Sequence, residues 1–128
     1  MRAMKEDILA LARQVAGKLV YAHSVKSDGA IIGTPVLYPG GERVTVYISA
    51  DRPGLVFVSD FEGGRKRAMM EGAGEAFDAA IAEIAPELTR EGLSIYTRVP
   101  PQQLAEAVMR IANASARALF LALRAQGA

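Results

Sequence analysis

The chain contains no cysteine and a single histidine, His23. The first absence removes disulfides, thiolate metal sites and cysteine nucleophiles. The second removes any histidine-rich metal site within one chain. An excess of one charge is also lacking: 15 Lys and Arg oppose 14 Asp and Glu, a net charge of +1. Whole-chain attraction to nucleic acid or acidic lipid is therefore not implied, and a basic site has to be a local patch. No uncharged apolar run approaches the roughly 20 residues needed to cross a bilayer. The N-terminal stretch reaches Lys5, Glu6 and Asp7 at once, and Arg13 and Lys18 break the apolar stretch after them. A secretory leader needs a continuous apolar stretch there, so a cytoplasmic protein is the simplest expectation.

The residues that are present suit one folded domain spanning residues 1–128. An apolar fraction of 51% and a charged fraction of 23% are ordinary globular values. A chain of this length buries about 65–70% of its unfolded surface, enough for a core without staples. No internal repeat, linker or low-complexity tract interrupts it.

Periodicity places the elements. Met4, Ile8, Leu11, Val15 and Leu19 form the apolar stripe of an N-terminal helix, with Gly17 a candidate C-cap. Residues 18–26 read either as more helix or as a strand; Ser27-Asp28-Gly29, a hairpin signal, favours the strand. Ala30 to Tyr38 is rich in β-branched residues and stops at Pro39-Gly40-Gly41. Val44, Val46 and Ile48 then alternate with Thr45, Tyr47 and Ser49, the period of a strand with one buried face. Arg52-Pro53-Gly54 suits a type II turn into a third run, Leu55 to Ser59. Pro35, lacking an amide donor, marks an edge or a bulge.

Short helices are expected at Arg65 to Met70 and Glu75 to Ile84, then a break and a further helical turn around Pro86, which Gly92 ends. A fourth strand is expected at Leu93 to Val99. A long helix then opens at Pro100-Pro101 and runs to about Ala125. The expected fold class is α+β: an antiparallel sheet of four or five strands with a meander core, packed by an N-terminal helix, short middle helices and the long C-terminal helix. The alanines of that last helix suit close approach by another, either the N-terminal helix of the same chain or a second copy in a homodimer.

Thr34-Pro35, the run Tyr38-Pro39-Gly40-Gly41-Glu42-Arg43-Val44-Thr45-Val46-Tyr47-Ile48, and Val58-Ser59-Asp60 together resemble the bacterial and phage family called domain of unknown function 1828. The resemblance covers Ile31 to Leu123 in element order. Phe61-Glu62 stands here where the family has an acidic residue and a glycine directly after the aspartate. The resemblance implies the same α+β fold and phage or mobile-element company, and no activity.

The local feature that departs most from what stability favours is Gly63-Gly64-Arg65-Lys66-Arg67. Glycines let backbone amides approach a ligand, and a helix start points unpaired N–H groups outward. Three cations there oppose the helix dipole. This reads as a seat for an anion or a partner, a nucleic-acid backbone included. The structural reading is a solvated turn whose charge Asp60 and Glu62 offset. Asp60 and Glu62, with Asp51 and Glu42, would serve a metal-dependent nuclease only if they converge. The competing reading is a Ser59-x-x-Glu62 capping box, and it is preferred.

His23 has no acidic neighbour in sequence, no serine sits in a Gly-x-Ser-x-Gly setting, and Gly72-Ala73-Gly74 lacks the Gly-Lys-Ser/Thr of a phosphate loop. Met69 and Met70 suit core filling. No cofactor or catalytic residue is assigned. The first expectation is a small binding protein acting on a macromolecular partner, an accessory factor or inhibitor in a phage or mobile-element setting. A nucleic-acid-binding domain using Arg65 to Arg67 comes second, and a metal-dependent nuclease or other hydrolase last.

Overall fold

Alternation along the middle of the chain builds the sheet. The computed structural model describes residues 8–11, 13, 21–25 and 29–127. Strands β1 (Tyr21–Val25), β2 (Gly29–Leu37), β3 (Arg43–Arg52), β4 (Leu55–Ser59), β5 (Thr89–Glu91) and β6 (Ser94–Val99) form one six-stranded sheet in the order β1-β2-β3-β4-β6-β5. Every pairing is antiparallel. Helices α1 (Gly63–Met70) and α2 (Gly74–Ile84) link β4 to β5, and a 3-10 turn (Pro101–Gln103) leads from β6 into α3 (Leu104–Gly127).

The class matches the expectation, with six strands where four or five were expected. Tyr21–Val25 take the strand reading as β1, paired Val25 to Gly29, and residues 18–20 and 26 of that segment lie outside the described residues. β5 departs from the expectation: the segment after Pro86 is no helical turn. Gly92, at φ 59, instead turns the chain from β5 to β6 across a two-residue connection. Pro35 sits in a register shift of the β2–β3 pairing between Gly33 and Leu37, so that ladder does not need the amide that Pro35 lacks. Gly54, at φ 75, carries the β3–β4 turn.

One face of the sheet is buried under the helices. Val44, Val46, Val58 and Ile95 meet Phe77 and Ile81 of α2 and Ile111 and Leu119 of α3 in one core. Burying each such side chain contributes about 1.5–3 kcal/mol. α3 packs on α1, α2 and strands β2, β3, β4 and β6, and its Ala107, Ala112, Ala114, Ala116, Ala118 and Ala122 are buried there. The alanine surface therefore serves close packing inside the chain. Most of the N-terminal helix expected beside it lies outside the described residues. Residues 8–11 and 13 are helical, with Ile8, Leu9 and Leu11 exposed.

Gly64 marks the tightest approach of α1 to its neighbours. A Cβ there would strike Ser115 Oγ and lie 2.7 Å from the Phe77 ring. Both neighbours are buried and cannot swing away. Gly64→Ala should therefore cost about 1–3 kcal/mol through overpacking. Gly40→Ala, where a Cβ meets only the end of Glu42 at 3.9 Å, should change stability by less than about 0.5 kcal/mol. Urea denaturation of the two variants checks the contrast.

Candidate functional site

Between β4 and α1 the chain reverses through two left-handed residues, Phe61 at φ 54 and Glu62 at φ 68. Each costs roughly 1–2 kcal/mol for a residue with a Cβ. Asp60 offsets that cost. Its Oδ1 accepts the N–H of Glu62 at 3.2 Å and of Ile95 at 3.1 Å. Its Oδ2 accepts the Ser115 hydroxyl at 2.8 Å and the Gly64 N–H at 3.4 Å. Ser115 thus donates its proton to Asp60, and its oxygen accepts from the Tyr38 hydroxyl at 3.0 Å.

Asp60 is 1% exposed. Burial pushes its pKa above the ordinary value, and the bonds from Ser115, Ile95, Gly64 and Glu62 pull it back. Burial likewise lifts Tyr38 to about 12, against the lowering effect of Ser115.

This arrangement replaces the capping box. Ser59 Oγ accepts the Phe61 N–H at 3.0 Å, not that of Glu62. The left-handed turn puts the helix start at Gly63, three residues later than a Ser59 cap would, and Asp60 takes the Glu62 and Gly64 amides. The glycine amide at Gly64 does seat an anion, and that anion is the chain's own Asp60.

The three cations of the turn are held by acids from three places. Arg65 grips Asp78 of α2 with Nε at 2.8 Å and a terminal nitrogen at 2.9 Å. Arg65, then Arg90 on the same carboxylate, holds Asp78 below its ordinary pKa. Lys66 pairs with Glu62 one turn back at 3.0 Å. Arg67 reaches Glu42 at 2.9 Å, donates to the Gly63 carbonyl at 3.0 Å, and lies 4.3 Å over the Tyr38 ring. Asp51 binds Arg98 at 2.7 Å.

Glu42, Asp51, Asp60 and Glu62 are therefore engaged in four separate contacts. Among the described residues no three His, Asp or Glu side chains are grouped to hold a metal ion. His23 lies on β1 opposite Ile31. Gly72, at φ 73, and Ala73 separate α1 from α2. Met69 and Met70 are exposed rather than core-filling.

The sheet face away from α1, α2 and α3 supplies a surface that the turn residues do not. In the observed register Ile31, Tyr47, Ser59 and Tyr96 form one cross-strand row, and Gly29, Ser49, Phe57 and Arg98 the next. Tyr47 meets Phe57 edge-on at 6.4 Å and Phe61 at 5.4 Å, and Phe57 lies 5.1 Å from Tyr96. The Arg98 guanidinium covers Phe57 at 5.2 Å and Tyr96 at 5.1 Å. Tyr47 lies over Gly29 and Tyr21 over Gly33, both positions where a Cβ would strike the ring. Phe61, 52% exposed, closes a shallow cavity of about 300 Å³ with Tyr47, Phe57, Ser59, Glu62 and Ser94. The alternation Thr45, Tyr47, Ser49 signals the outward phase of β3; the strands that complete the face are not readable from it.

No family model matches this chain, and neither the curated proteins nor the solved structures include a significant match.

The contacts of Asp60 and Arg65 set two expectations. A group whose folded pKa is raised stabilises the fold fully below its ordinary value and loses that contribution as pH rises through the raised one. Asp60→Asn stays neutral, so the stability gap between wild type and variant should narrow as pH rises from about 3 towards neutrality. Urea denaturation across that range measures it. Arg65→Ala should cost about 1 kcal/mol, because it breaks a two-pronged bond to Asp78, and Lys66→Ala less than about 0.5 kcal/mol. Thermal melts of both variants check the order.

Proposed function

We propose that the chain is a small binding protein that occupies a macromolecular partner without turning over a substrate, and that the aromatic face of the sheet makes the contact. One observation carries this reading. Of four tyrosines and four phenylalanines, Tyr21, Tyr47, Tyr96, Phe57 and Phe61 all belong to the face opposite α1, α2 and α3. Aromatic and arginine side chains are the groups that dominate protein interfaces, where large rigid surfaces leave water at little entropic cost.

The charge of the face favours a protein over a polyanion. Arg98 is neutralised by Asp51, and Arg65, Lys66 and Arg67 are each paired within the chain. A backbone of phosphates needs cations it can recruit without breaking such pairs. An accessory factor or inhibitor in a phage or mobile-element setting, the company implied by the resemblance, would act by this kind of association.

Phe61→Ser with Tyr96→Ser tests the reading. The rings are partly exposed, so the double variant should stay folded by circular dichroism. As bait in a lysate of the source cell it should lose the protein that the wild-type chain retains. Retention of the same protein by both baits refutes the sheet face as the contact. Salt-sensitive retention of a single-stranded oligonucleotide by the wild type, abolished in the double variant, would instead favour nucleic acid stacked on the rings.

A further inference from the structure

The outer side of α3 carries a stripe that the chain leaves unsatisfied. Glu106, Arg110, Asn113, Arg117, Phe120 and Arg124 are all exposed. They recur at steps of four, three, four, three and four, the spacing that keeps side chains on one side of a helix. Arg110, Arg117 and Arg124 have no ion-pair or hydrogen-bond partner among the described residues. Phe120 is 49% exposed beside Leu37, at a groove of about 500 Å³ completed by Pro39, Asn113, Ala116 and Arg117. Buried Ala112, Ala118 and Ala122 occupy the opposite side of the helix.

The step pattern is the same read from either end. We propose that this stripe is the contact with a second copy of the chain, the two α3 helices lying antiparallel across a two-fold axis. In that register Glu106 faces Arg124 of the second copy, Arg110 faces its Phe120, and Asn113 faces its Arg117, and symmetry repeats each contact. The three contacts are an ion pair, a cation over a ring and an amide accepting from a guanidinium, so each of the stripe's three arginines gains a partner. A parallel arrangement would set each arginine against its own copy, three like-charge contacts that oppose association. Charge complementarity therefore selects the antiparallel pair. This contact is separate from the sheet face and does not depend on it.

Within one chain Glu106 and Arg124 are roughly 27 Å apart along the helix, so they interact only between copies. Light scattering on the eluting full-length chain at tens of micromolar should give twice the 13.6 kDa of one chain. Glu106→Arg alone and Arg124→Glu alone should each weaken the dimer roughly tenfold or more by creating like-charge contacts. The double variant should regain most of the loss, although each change opposes the helix dipole and the two lower the melting temperature additively.

A wild-type chain that stays monomeric, or a dimer indifferent to both reversals, overturns the proposal. So does a double variant no better than the singles. A monomer that retains duplex DNA, and loses it in Arg110→Glu with Arg117→Glu, would overturn it by assigning the stripe to nucleic acid.

Discussion

The buried carboxylate of Asp60 is the point through which the rest of the structure is tied together. It sits at the end of β4 and accepts from the backbone of the turn, from the first turn of α1, from β6 and from Ser115 of α3. A carboxylate taken out of water is costly unless every acceptor site is used, so its position fixes those four segments relative to one another. Tyr38 extends the chain of bonds to the end of β2. The left-handed Phe61 and Glu62 are tolerated because this anchor over-determines them. Phe61 is thereby set against Tyr47 on the aromatic face.

A near-zero net charge conceals an uneven distribution. Around α1 the cations are already paired: Arg65 and Arg90 share Asp78, Lys66 takes Glu62 and Arg67 takes Glu42. These pairs hold α1 to α2 and to the β2–β3 turn, and they resolve the conflict between three cations and a helix start. Along α3 the arginines have no such partners among the described residues. A partner approaching α1 must compete with existing ion pairs, whereas one approaching α3 completes contacts that are missing. The aromatic face differs from both, since its central guanidinium is already neutralised and spread over two rings.

Much of the fold was legible because strands with one buried face and tight turns leave local signals. The alternation of Val44, Val46 and Ile48, the glycines at 40, 41 and 54, and Pro35 each forecast a feature that is present. β5 was not legible: Thr89, Arg90 and Glu91 are exposed, show no apolar alternation, and become a strand only because β6 pairs with them. The candidate turn at Gly63 to Arg67 was legible as a departure from helix-start preference, and its amides do meet an anion. The identity of that anion was not, because Ser115 and Ile95 lie 55 and 35 residues from Asp60.

The sequence by itself determined the α+β class, the outward phase of β3 and the seven-residue spacing of Arg110, Arg117 and Arg124. Each depends on neighbours within a few residues, where backbone geometry alone sets which side chains share a face. Tertiary structure alone decided which charges are paired and which remain. It joined Arg65 to Asp78 and Arg67 to Glu42, buried Asp60, and gathered rings from four strands and one turn onto a single face. Those outcomes depend on strand order and helix docking, in which residues far apart in the chain become the nearest neighbours, and no local pattern encodes that distance.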